Sequence, residues 1–299
     1  MFDSLLSENG LSLDRLKNFC LVAEAGGIAR VSAGDPAKQS LYSRQIRDLE
    51  EFFQVELTRR KGKGIELTQA GQELARQARA QFLALSEFKD SCRQQPLEVR
   101  IGAGNSLIEW WLTPQIKKFQ KAVPSASWQF QNMRTAGAVK ALTDLTLDFA
   151  LIRKNAVPAS LKCHSLGSID YLLFAPVTFK SRPNSPERIL AEYPVALAMG
   201  GELSEQFKQA CAKAEIKTCI RFTCTSLTQA AGLVEAGVAC SVLPGIATSS
   251  FDPKKVTAHK LPMMHGYRRE IALAWNPRML STRPRLLPLQ EALKETAGF

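Results

Sequence analysis

Six polar side chains, Lys38, Gln39, Ser40, Ser43, Arg44 and Arg47, fall within ten residues of one another. They are ammonium, amide, hydroxyl and guanidinium donors, the groups that read base edges and hold phosphates. A helix collects them on one side, because Tyr42, Ile46, Leu49 and Phe53 interleave at helical spacing and face the other way. The carboxylates Asp48, Glu50 and Glu51 come only later. A second basic group, Arg59, Arg60, Lys61 and Lys63, sits in a Gly-rich turn before Ile65-Glu66-Leu67. That pattern predicts a β-hairpin with cations at its tip, suited to phosphate contact.

The elements around these residues give them a frame. Leu13, Leu16, Cys20 and Ala23 recur at helical spacing, and Gly26-Gly27 ends that helix. A short helix over about 28–33 follows, Gly34-Asp35-Pro36 breaks the chain, and a longer helix resumes. Two helices joined by a tight Gly-containing turn inside a helical triad make a helix-turn-helix, and the hairpin adds a wing. Two starts fit the second helix: Asp35 as N-cap with Pro36 at the first position, or a turn at Asp35-Pro36 and a start near Lys38. The choice sets the register of any base contacts. Past the hairpin, Thr68 is an N-cap, and Leu74, Ala78, Phe82, Leu85 and Phe88 form one apolar stripe running to about Cys92. A helix this long beside a small domain buries its stripe against a partner helix, so Leu74, Ala78, Phe82 and Leu85 are expected at a dimer seam. Packing within the chain is the alternative.

Gln94-Gln95-Pro96 ends that helix and a second architecture begins. Strand-like runs at 97–102, 124–131, 148–152, 171–176, 194–198, 220–222, 240–244 and 271–275 alternate with helical stretches, which predicts a largely parallel sheet.

Composition bounds the rest. Residues 1–95 carry 14 cations against 13 carboxylates, residues 96–299 carry 25 against 15, so the net charge of +11 sits almost wholly outside the basic helical head. The head's DNA-reading character is therefore a matter of local patterning, not of global charge. Seven cysteines form no CxxC pair and the three histidines no zinc spacing, so free thiols and no metal are expected. No P-loop, GxSxG, HExxH or strand-following GxGxxG is present, so no catalytic residue and no cofactor are assigned. No run of about 18 apolar residues suggests a membrane span. Residues 1–10 lack a basic apolar leader, and cytoplasmic location is expected.

The chain resembles the LysR-type transcriptional regulators. The resemblance rests on LKNFCLVAEAGGIARV in the first helices, SRQIRDLEEFFQVEL at 43–57 and GIELTQAGQEL at 64–74. It runs ungapped through the head and, more weakly, to about residue 292. It implies an α/β protein with an all-α winged helix-turn-helix head (11–68), a long linker helix that pairs subunits (69–95), and a two-lobed, periplasmic-binding-protein-like effector domain (97–299). The lobes would be about 97–165 with 268–299, and about 169–264, hinged near Leu166-Gly167 and His265-Gly266. Carried over by position, the base-proximal residues are Gln39, Ser40, Ser43 and Arg44, and the wing's phosphate contacts are Arg59, Arg60 and Lys63. Two departures stand out. Lys38-Gln39-Ser40 replaces the family's usual Ser-Gln-Pro, and Thr58-Arg59-Arg60 its usual Phe-Glu-Arg. One branch of the family senses peroxide through a cysteine pair near the helix that here carries Cys211, but Gly200-Gly201-Glu202-Leu203 offers no partner thiol.

A ligand in such a fold binds between the lobes, at strand C-terminal ends and against helix N-termini. Three turns supply donors: Asn105 and Ser106, Arg134 and Thr135, Thr225 and Ser226. Together with the basic excess of this region they favour a small anion, foremost a carboxylate. The expected protein is a DNA-binding regulator, a homodimer or homotetramer, answering to such an effector. The competing readings are a regulator needing no small molecule, and an α/β solute-binding or ligand-processing protein.

Overall fold

The computed structural model describes residues 10–62, 64–180, 185–296 and 298–299. The chain forms two compact units. The first runs to Gln95 and takes in the segments Thr143–Leu145 and Arg278–Pro284; the second holds the remainder from Pro96.

In the first unit, α1 (Leu13–Ala25) starts at Ser12, whose side chain accepts from the Arg15 amide, and stops at Gly26, whose φ of 69° closes the helix in the left-handed region that glycine tolerates. A short α2 (Ile28–Val31) leads to α3 (Pro36–Phe53). Asp35 caps α3 by accepting from the amides of Ala37 and Lys38, with Pro36 in the first turn. The earlier of the two possible starts is the one adopted. β1 (Thr58–Lys61) and β2 (Gly64–Leu67) pair antiparallel as the wing, and α4 (Gln69–Cys92) follows. Phe19, Val22, Ile46, Leu49, Leu57 and Ala75 form the core, with Tyr42, Phe53 and Leu74 packed against it. Leu13, expected on the inner stripe, is 60% exposed. Leu16, Cys20 and Ala23 face inward as expected, joined by Phe19 and Val22.

Polar ties lock the wing to the helices. A Glu50 carboxylate oxygen accepts from the amides of Leu57 and Thr58 at 2.8 and 2.9 Å. Thr68 donates its hydroxyl to the Glu56 carbonyl and accepts from the Gly71 amide. A Cβ on residue 71 would lie 2.0 Å from the Leu57 carbonyl oxygen, so only glycine fits where α4 leaves the wing. Along α4, Glu73 pairs with Arg278 at 3.1 Å, Arg79 with Asp144 at 3.7 Å and Glu87 with Arg283 at 3.1 Å. Arg283 and Glu87 are only 4% and 12% exposed, so losing either would leave a buried charge, at about 3–5 kcal/mol.

The second unit opens with β3 (Glu98–Ala103), then helix in three pieces: Asn105–Leu107, a π-helical Ile108–Leu112, and α5 (Thr113–Ala122). β4 (Ser127–Asn132), α6 (Thr135–Thr143), β5 (Phe149–Arg153) and β6 (Lys162–Ile169) complete the first lobe's outgoing chain. The second lobe contains β7 (Tyr171–Pro176), α7 (Pro186–Glu192), β8 (Pro194–Ala198), α8 (Glu202–Lys213), β9 (Cys219–Cys224), α9 (Leu227–Glu235), β10 (Ser241–Pro244) and β11 (Val256–Lys260). The chain then returns as β12 (Arg269–Trp275), α10 (Pro277–Thr282) and α11 (Leu287–Lys294).

The sheets are mixed rather than largely parallel. In the five-stranded order β4-β3-β5-β12-β6, β3 runs parallel to β4 and β5, but β12 runs antiparallel to both its neighbours. In the second lobe β7 lies antiparallel between β10 and β11, and β8 is parallel to β9, bridged to the rest at Val195 and Cys240. Two strands, β6 and β11, are not among the strand-like runs of the sequence, because both are poor in large apolar residues. β6 moves the first crossing: Leu166-Gly167 lies inside a paired strand, and the chain passes between lobes at Asp170. The return passes near Gly266, as expected.

Gly71→Ala should cost about 1–3 kcal/mol through overpacking against Leu57. A thermal melt of the full chain would register a lowered midpoint, and an unchanged one would mean that the wing's base yields without cost.

Candidate functional site

The head's donors stand where helix periodicity puts them. Lys38, Ser40, Ser43, Arg44 and Arg47 are exposed on α3 and Gln39 is half-buried, while Ile46 and Leu49 point into the core. Arg44 and Arg47 make no ion pair with any described residue, and Lys38 reaches Asp35 only at 4.0 Å. Leu41, 38% exposed among these donors, offers an apolar contact suited to a thymine methyl, and went unremarked because a lone apolar residue reads as core.

A concavity of about 690 Å³ joins α3 to the wing, with Gly27, Arg30, Gln39, Ser43, Arg60 and Gly62 in its wall. The wing's cations are unequal. Arg59 lies opposite Glu66 in the ladder, and Glu66 takes both Arg59 and Lys61, each at 2.5 Å. Hydrogen bonds from Lys61 and then Arg59 hold the Glu66 carboxyl below its usual range. Arg60 alternates to the other face and is exposed, with no ion pair among the described residues. Arg59, expected as a phosphate contact, is thus partly neutralised by its own neighbour. Lys63 lies outside the described residues.

The expected dimer stripe divides. Leu74 packs on the head's core and Ala78 is 3% exposed within the chain, so these two are spent internally. Phe82 is half-buried, whereas Leu85 and Phe88 are 55% and 71% exposed.

In the second unit a cleft of about 740 Å³ lies between the lobes. Ser106, Arg134 and Thr135 line it as expected; Asn105, Thr225 and Ser226 do not. Asn105 donates instead to the Thr228 hydroxyl at 3.0 Å, Thr228 meets the Ser226 hydroxyl at 2.9 Å, and Ser226 caps α9. Thr225 is held by the Gln229 carboxamide through its amide and hydroxyl, both at 2.9 Å. The polar groups of these three side chains are thus engaged within the chain. Trp110 adds to this joint by packing into the second lobe's core beside Phe174 and Ala196.

The cleft's main chemistry comes from residues the sequence did not flag. Arg153 ends β5, Arg269 begins β12 and Tyr171 begins β7, so all three meet where the chain changes lobes. Arg269 hydrogen-bonds the Tyr267 hydroxyl at 3.1 Å and lies 5.5 and 5.8 Å from the Tyr171 and Tyr267 ring centres. It has no carboxylate partner among the described residues. Burial pushes the Tyr171 phenol up to about 12 despite the nearby Arg269, so it stays neutral. Among the described residues none that lines the cleft is acidic, and Leu107, Met133, Ile169 and Ile271 supply apolar wall. Sequence signal for Arg153 and Arg269 is weak: each sits in a short charged run, Arg153-Lys154 and Arg268-Arg269-Glu270, at the end of an apolar strand.

All seven cysteines are free thiols. Burial pushes Cys20 and Cys211 up to about 11 and Cys240 to about 12, the opposite of an activated thiolate. Among the described residues no cluster of His, Cys, Asp or Glu could hold a metal, and no helix is long and apolar enough to cross a membrane.

A winged helix-turn-helix bearing unpaired cations, followed by a two-lobed unit with a basic cleft, defines a class of ligand-responsive DNA-binding protein. Residues 13–72 match the profile described as bacterial regulatory helix-turn-helix protein, lysR family, and residues 93–297 match the LysR substrate binding domain. The chain belongs to the LysR family and is a DNA-binding transcriptional regulator of that type. It is 27% identical over 291 residues to the HTH-type transcriptional regulator BudR of Raoultella terrigena, covering 89% of this chain and 94% of that one. In fold it is similar to a full-length OxyR variant from Pseudomonas aeruginosa, with a TM-score of 0.64 at 17% identity and 96% of each chain covered. Full-length CbnR complexed with its target DNA gives a TM-score of 0.54 at 20% identity, with 96% of this chain and 100% of that one covered.

Glu66→Gln should release Arg59 and Lys61, tighten binding to arbitrary duplex DNA, and steepen the dependence of log K on log salt by about one to two. Titrations at several salt concentrations would measure this; an unchanged slope would mean the pair already contacts phosphate.

Proposed function

We propose that this regulator reads DNA with the exposed face of α3, grips phosphate through Arg60 and Arg30, and answers to a small carboxylate-bearing effector in the inter-lobe cleft. The observation that carries the DNA reading is the concavity in which Gln39 and Ser43 share a wall with Arg60. A phosphate strand lying there would put Arg44 and Arg47 over base edges on the adjacent exposed face. CbnR, a protein of similar fold, is known in complex with its target DNA. The effector reading rests on Arg134, Arg153 and Arg269 lining a cleft whose wall, among the described residues, holds no carboxylate. A second copy of the chain covers Leu85 and Phe88, giving a homodimer or homotetramer that spans two half-sites. The protein acts by binding, not turnover, and works in the cytoplasm, where its DNA is.

Arg44→Ala should cost about 1–3 kcal/mol on the cognate site and relax one base position, as measured by selection of bound sequences. An unchanged base preference would refute the α3 register. For the cleft, organic acids should raise the melting temperature of the full chain, and Arg269→Gln should remove that gain. If the same acids stabilise Arg269→Gln equally, the ligand sits elsewhere.

A further inference from the structure

Glu202 stands at the edge of the cleft without being part of its wall. It opens α8 directly after Gly200-Gly201, which do line the cleft, and its carboxylate pairs with Arg153 at the end of β5. The pair therefore bridges the lobes at the cleft, whereas Trp110 and the Asn105–Thr228 hydrogen bond join them at a different place. Its two side chains are 36% and 44% exposed. A pair that wet biases an equilibrium by no more than about fivefold, so a ligand with several contacts can displace it. Beside it, Arg269 is held in place by Tyr267 and the Tyr171 ring and has no carboxylate of its own among the described residues. Of these two guanidinium groups, only Arg153 holds a resident carboxylate.

We propose that Glu202 is a built-in stand-in for the effector's carboxylate, and that an effector enters by exchanging with Glu202 at Arg153. This rests on the reading of the cleft as the effector site, and it adds the ligand's chemistry and the consequence of its binding. The ligand carries a carboxylate that spans Arg153 and Arg269, with Ser106 and Thr135 in reach of further polar groups and Met133, Ile169 and Ile271 facing an apolar body. Without effector, Glu202 ties α8 to β5. With effector, that tie is replaced by one through the ligand, and α8 is freed from Arg153. The residue that selects the ligand class is then Glu202 as much as either arginine, because a ligand must outcompete a carboxylate to enter.

Acetate supplies the missing group in a Glu202→Ala full-length variant. Its melting temperature should rise saturably with acetate, beyond the rise in the wild type, while chloride at equal ionic strength gives no such gain. Adding Arg153→Gln should abolish the acetate effect. Glu202→Ala should also tighten any organic acid that stabilises the wild type, by up to about fivefold. Equal acetate responses in wild type, Glu202→Ala and the double variant would overturn the exchange. If the wild type takes an organic acid through Arg269 but Glu202→Ala gains nothing from acetate, the exchange is wrong and the cleft reading stands. If no organic acid stabilises the wild type, the cleft reading fails and the proposal falls with it.

Discussion

A cation in a folded protein needs water, a carboxylate or a ligand beside it, because an ammonium or guanidinium stripped of all three costs too much to keep charged. With 39 cations against 28 carboxylates, this chain cannot pair them all. Where it does pair them, elements are fastened: Arg15 to Asp48 between α1 and α3, Arg283 to Glu87 along α4, and Arg268 to Asp170 between the two crossings of the second unit. Among the described cations that lack a carboxylate, two groups stand out. Arg44, Arg47 and Arg60 face outward from the head, and Arg134 and Arg269 face the cleft.

The cleft is built where the chain changes lobes. Tyr171 follows one crossing and Tyr267 precedes the end of the other, and their rings lie 5.3 Å apart. Arg269 rests against both, so its position is set by the same residues that any relative movement of the lobes would disturb. A ligand held by Arg269 would therefore bear directly on the crossings, which is the differential contact that a ligand-driven shift requires. Because Tyr171 stays neutral, the charge of the cleft is decided by its arginines and by Glu202.

Much of what makes the head recognisable is structural. In the SRQIRDLE segment, Asp48 anchors α1 and Glu50 holds the entry to the wing. In LTQAG, Thr68 ties the end of the wing to the start of α4, and Gly71 lets α4 pass the Leu57 carbonyl. These contacts fix how α1, α3, the wing and α4 are joined.

The sequence alone determined what depends on near neighbours. Helical periodicity placed Ile46 and Leu49 inward and Arg44 and Arg47 outward, the Thr68 cap marked a helix start, and Gly26 marked a stop, all within a few residues of chain, whereas the choice between the two starts of α3 fell to the structure. The tertiary structure alone decided the partnerships over distance. That Glu66 would neutralise Arg59 required the hairpin's register, in which a slip of one residue moves every side chain to the other face. That Asn105 would be spent on Thr228, 123 residues later, required two lobes to close on each other. That Arg153 and Arg269 would share a cleft required β12 to return antiparallel beside β5, a pairing that strand composition does not encode. Local pattern is written in local spacing, but the charge a ligand meets is what remains after distant residues have paired.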